Sequence, residues 1–213
     1  MKKIVLPLAL LTLVTSCTGT PELRKDIRDF ICKFSLETAM KQYLSGGYTS
    51  TKVENLEAGI KTTVVELEFS RVNDSHPSYH KVTTTTQNET VTVEELSFVE
   101  NDGQYYISIN GELSKSSLKE CDNYINKFFY EKTDLDGQYH AKGYYYGDYI
   151  KTVAPYLQKY ITIDQENELY IMEYSVTTSS TPVEQRYTVN KYGMLVDNHY
   201  QDSVTTQDIH VHN

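Results

Sequence analysis

Six histidines, three cysteines and 29 acidic side chains are the groups in this chain suited to metal, covalent or acid-base chemistry, and their spacing decides between those uses. His210 and His212 stand two residues apart, which in an extended chain puts both on one face, with His199 a conceivable third ligand for a shared ion. No carboxylate lies at a fitting sequence spacing from them, so no metal is assigned. Asp134 and Asp136 ahead of Gly137 match a fragment of a calcium loop but lack its other ligand positions, the closing glutamate included, and a turn accounts for them. Glu94-Glu95 is no catalytic pair, because neighbours in a strand point to opposite faces. A phosphate loop, a dinucleotide fingerprint, a serine elbow and a zincin pair are all missing, so the reading is a non-enzyme without a cofactor. Cys32 and Cys121 have no histidine close in sequence to activate them. Cys17 is in a different setting.

The stretch Ile4 to Val14 is apolar apart from Thr12 and a tolerated Pro7, and it follows Lys2 and Lys3. It is too short for the ~20 residues of a spanning helix and has the form of an export signal's apolar core. Val14-Thr15-Ser16-Cys17 then resembles the bacterial lipobox, in which small side chains admit the peptidase to the bond before a diacylglycerol-modified cysteine. The expectation is a leader over 1–16, a lipidated Cys17 as first mature residue, and a tether over 17–20 of about 15 Å. Two or three acyl chains such as palmitate, at ~0.8 kcal/mol per buried methylene, hold such a chain on a membrane without a spanning segment. The implied location is the extracytoplasmic side of a membrane in a bacterial cell envelope.

Formal charge is −9 for the whole chain and −11 once Lys2 and Lys3 leave with the leader. That balance argues against nucleic acid as a partner and against broad contact with anionic headgroups. In an exported chain the two remaining cysteines, Cys32 and Cys121, allow a disulfide; two inert core thiols are the other outcome.

The elements that must position these groups fall into two similar series. Leu23, Ile27, Phe30/Ile31 and Phe34 recur every three or four residues, a helix opened by Pro21 and stopped by Gly46-Gly47. The period then changes to two. Val65, Leu67 and Phe69 alternate with Glu66, Glu68 and Ser70; Thr-rich and Val-rich runs follow; and Tyr105, Ile107 and Ile109 alternate with Tyr106, Ser108 and Asn110. Helical spacing returns at Leu118, Cys121, Tyr124/Ile125 and Phe128/Phe129, with Ser117 and Glu120 placed as a capping box. After a Gly- and Tyr-rich passage, a shorter helix over 148–161 carries Pro155, where a bend or interruption is expected. Four strands close the chain, the first presenting Tyr170, Met172 and Tyr174 on one face. Either two modules stand in tandem or one sheet continues with helices on a single side. Tyr144, Tyr145, Tyr146 and Tyr149 between glycines suit a ring-rich lip over a ligand, or plain packing.

Over almost its full mature length the chain resembles the LolA/LppX-like half-barrel lipoproteins. The likeness rests on the lipobox, on LETAMKQYLSGGYTSTKVE as helix running into an opening strand, on the hairpin VENDGQYYISING, and on RYTVNKYGMLVDNHYQ as strand, turn and long strand. The resemblance implies an α+β fold over 21–213: a curved antiparallel sheet, a half-barrel, with helices packed on its concave side around an apolar cavity. Val65, Leu67, Phe69, Tyr105, Ile107, Ile109, Tyr170, Met172 and Tyr174 then line either a site for a lipid or other apolar ligand, as in a carrier or sensor, or a closed core. A closed core leaves a surface module for a protein or glycan partner.

Overall fold

Eleven strands form one antiparallel sheet in the computed structural model, which describes residues 21–73, 76–130, 132–135, 138–141, 143–178 and 181–213. The expected leader over 1–16, Cys17 and the expected tether lie outside these residues. Two short helices, α1 (Lys25–Ile31) and α2 (Leu36–Gln42), precede the meander β1 (Ser45–Leu56), β2 (Gly59–Ser70), β3 (Ser78–Gln87), β4 (Thr90–Asn101), β5 (Gln104–Ile109) and β6 (Glu112–Lys115). Helix α3 (Leu118–Phe129), a separate hairpin of β7 (Lys132–Leu135) and β8 (Gln138–Ala141), and helix α4 (Gly147–Leu157) follow. A 3₁₀ turn (Gln158–Tyr160) then leads into β9 (Ile161–Asp164), β10 (Leu169–Thr178), β11 (Thr181–Asn190), β12 (Leu195–Gln201) and β13 (Thr205–His212).

The two meanders are one sheet. Its order is β6-β5-β4-β3-β2-β1-β13-β12-β11-β10-β9, so the first strand pairs with the last and both edges stay open. Tight turns set the register: Asp102-Gly103 and Asn110-Gly111 both take positive φ, the pairing of types that two-residue hairpins demand.

The long first helix expected from periodicity is instead two. Ser35 has an extended backbone, and its hydroxyl accepts a hydrogen bond from the Thr38 N–H at 3.3 Å, so this side chain caps α2 in place of continuing α1. Gly46 and Gly47 do not stop a helix; they belong to β1. A Cβ on Gly46 would stand 2.6 Å from the His212 carbonyl oxygen, so glycine there permits β13 to close against β1. Ser117 does cap α3, accepting from the Glu120 N–H at 3.2 Å, while Glu120 accepts from the Ser116 hydroxyl at 2.8 Å. Pro155 sits inside α4 near its end, and the 3₁₀ turn follows directly. Among the described residues no helix is long and apolar enough to cross a membrane.

The helices cover a single face of the sheet, called inner below. Across β2 to β5 one inner row runs Phe69, Tyr79, Phe98, Ile107 and the next runs Leu67, Lys81, Leu96, Ile109. Across β9 to β13 a corresponding row runs Ile209, Asn198, Tyr187, Met172, Ile161. Ile125, Phe128 and Phe129 of α3 and Ile150 and Ala154 of α4 complete one continuous core with these rows.

Candidate functional site

All nine residues singled out from the alternation share the inner face, as the pairing registers require, but they meet different surroundings. Leu67, Phe69, Tyr105, Tyr170, Met172 and Tyr174 are buried. Phe69 lies against two rings of α3, Phe128 at 4.7 Å and Phe129 at 5.8 Å between centroids. Tyr170 meets Phe34 edge-on at 6.4 Å, and Met172 Sδ accepts from the Tyr187 hydroxyl at 3.1 Å. Val65 and Ile107 are half-buried, and Ile109 is 51% exposed. Half-buried Leu96 pairs with Ile109, and with Ile107 they make a short apolar strip at the margin of the core; Val65, on β2, is parted from it by Lys81 and Thr83 of β3.

Phenols crowd the other half. Tyr146 and Tyr149 of the segment entering α4 stand 5.9 and 6.5 Å from the Tyr187 ring, and Tyr144 lies 4.5 Å from Tyr48. The tyrosine run after Gly143 is therefore packing between helix and sheet. Burial raises the Tyr170 and Tyr187 hydroxyls well above the ordinary phenol range and pushes Tyr174 up to about 12, so all three stay neutral donors. Among the described residues the buried Tyr170 hydroxyl has no hydrogen-bond partner.

Above the phenols the inner face turns polar. Lys52 and Glu54 pair at 2.6 Å with side chains 24 and 22% exposed, and Gln207 donates to the Ser50 hydroxyl at 3.3 Å. The Tyr200 hydroxyl donates to Asp202 at 2.6 Å. Burial acts to raise the Asp202 carboxyl, but the Tyr200 hydroxyl, the N–H groups of Val204 and Thr205, and the charge of Lys52 outweigh it and hold the group below its usual range. This band is suited to hydrogen-bonding the polar end of an amphipathic molecule.

Cys32 and Cys121, which the sequence allowed to pair, are separate free thiols. Cys32 is exposed and donates to the Asp29 carbonyl at 3.2 Å. Cys121 is buried under α3 against the Pro77 carbonyl, and burial pushes its thiol up to about 12, which makes it inert.

On the opposite, outer face the histidines are not without acids. Register sets His199 opposite Asp208 and His210 opposite Asp197, at 2.6 and 2.7 Å. Glu68 reaches His212 at 2.7 Å across Gly47, whose missing side chain leaves the way open. The carboxylates are remote in sequence spacing and adjacent in the ladder, which is why spacing alone missed them. The signal was present as Asp-x-His on β12 and Asp-x-His-x-His on β13, joined by a short turn. A groove of about 360 Å³ opens over the His199 and His210 pairs. Among the described residues no three His, Cys, Asp or Glu side chains form a ready-made metal cage.

No protein-family model matches the chain, and no curated protein does. Among solved structures it is similar to LprF from Mycobacterium bovis, at 12% identity, covering 92% of this chain and 94% of that one with a TM-score of 0.38. It is also similar to a domain assigned to outer membrane lipoprotein sorting from Vibrio parahaemolyticus, at 8% identity over 84 and 90% of the two chains, with a TM-score of 0.24.

Proposed function

We propose that the chain is an envelope lipoprotein, anchored through Cys17, that holds a lipid or other apolar ligand between sheet and helices as a carrier or sensor. The observation that carries the reading is the strip Leu96, Ile107 and Ile109, apolar inner-face surface at the margin of the core that stays partly open to solvent. An acyl chain laid along it removes apolar surface from water at ~25 cal/mol per Å². The band around Ser50, Lys52, Asp202 and Tyr200 supports the polar end. No step here is chemical; the work is burial and orientation.

A second reading is a surface module for a protein or glycan partner, favoured by the closure of six of the nine residues into core. Native mass spectrometry of the protein purified from membranes, followed by lipid extraction, separates the two. Near-stoichiometric lipid that disappears in a folded Ile109→Asp variant supports ligand binding. A lipid-free chain, or lipid retained by Ile109→Asp, rejects it.

A further inference from the structure

The outer face carries a site that does not depend on the lipid reading. His199 and His210 each engage a cross-strand carboxylate through Nδ1, with Asp208 at 2.6 Å and Asp197 at 2.7 Å. Those pairs leave Nε2 of both rings unused, and the side chains are 40 and 63% exposed. The two residues are diagonal neighbours on one face of an antiparallel pair, a separation that imidazoles can span, and both line the outer groove.

We propose that His199 and His210 bind a divalent transition-metal ion through their Nε2 atoms, with water filling the remaining positions. An imidazole that donates its Nδ1–H to a carboxylate is fixed in orientation with Nε2 turned outward, which is the usual support behind a metal-bound histidine. Imidazole donors suit zinc, nickel and copper, with Cu²⁺ bound most tightly. Arg186, cross-strand from His199 and part of the same groove, opposes a dication. Asp197 and Asp208 place two negative charges behind the rings and outweigh it. His212 follows on the same face, its ring stacked 6.3 Å from His210, but its Nε2 is held by Glu68 at 2.7 Å. With two nitrogens and an open setting, affinity in the micromolar range is expected, far from that of a closed structural zinc site.

The probe is Cu²⁺ added to the full-length protein in detergent, with Cys32→Ser in every variant to remove the exposed thiol, read by calorimetry and electron paramagnetic resonance. One ion per chain with two nitrogen donors is expected. His199→Ala or His210→Ala should remove the two-nitrogen signature and weaken binding by at least about tenfold, and Asp208→Ala should weaken it by about tenfold through loss of orientation. His80→Ala, whose ring pairs with Glu95 elsewhere on the outer face, should leave binding unchanged. Absence of binding at millimolar Cu²⁺, or binding that survives both His199→Ala and His210→Ala, overturns the assignment.

Discussion

Phe69→Ala tests whether α3 is clamped to the sheet or rests on it as a movable cover. The Phe69 ring is 3% exposed and touches Phe128 and Phe129 of α3, so truncation removes the joint between helix and strand and leaves a cavity at their seam. Buried Phe→Ala changes cost about 3–5 kcal/mol, the upper end applying where neighbours cannot collapse. Phe128 and Phe129 also contact each other, at 5.1 Å, which limits that collapse. At 2–4 °C per kcal/mol for chains of this size, the melting temperature should fall by roughly 10 °C. Ile109→Ala, on the same face but 51% exposed, should cost less than about 1 kcal/mol. Urea unfolding followed by far-UV circular dichroism measures both. A loss under about 1.5 kcal/mol for Phe69→Ala would mean that the helix–sheet seam relaxes freely, and the division between sealed core and open strip would then be wrong.

Two further outcomes follow from buried and paired groups. At pH 8 iodoacetamide should label Cys32 and spare Cys121, since a thiol pushed up to about 12 is thiolate in roughly one molecule in ten thousand; peptide mass spectrometry of the folded protein reads this, and equal labelling would contradict the burial of α3. Asp202 has a depressed folded pKa, so its contribution is present above the ordinary carboxyl value of about 3.9 and is lost as pH falls through the folded value. Wild type should therefore exceed Asp202→Asn in stability at pH 7, with the gap closing below about pH 4; a gap that widens in acid would reverse the sign.

What the sequence disclosed depended on whether the cause was local. Alternation at Val65-Leu67-Phe69 and Tyr170-Met172-Tyr174 reports a face, and the faces are as expected because side-chain period is a property of the strand itself. The capping box at Ser117 is equally local. The break at Ser35 was missed because apolar spacing runs on through it, while one hydroxyl decides the backbone. The role of Gly46 was misjudged because its reason, the His212 carbonyl, arrives from the far end of the chain. Strands β6 and β9, four residues each, are too short to show a period. Whether an inner-face residue is core or strip was not legible at all: Ile107 and Tyr105 look alike in the alternation, and only the reach of α3 separates them.

The β1–β13 ladder joins the two meanders, and this makes the two faces separable by experiment. A valine at position 46 meets the His212 carbonyl at the helix-side end of the ladder, an overpacking expected to cost about 1–3 kcal/mol. On the inner face the neighbouring row, Tyr48 opposite Val211 and opposite Leu67, is forced apart beneath Tyr144, so lipid occupancy should fall. On the outer face His212 should lose Glu68, a contact that crosses this same seam. His199 and His210 belong to the next ladder, β12 with β13, and their carboxylates come from within it. Gly46→Val should accordingly lose lipid and keep Cu²⁺, the reverse of His210→Ala. Joint loss of both ligands in a folded Gly46→Val protein would show that the faces are coupled through the sheet, and that the outer histidines depend on more than the β12–β13 register.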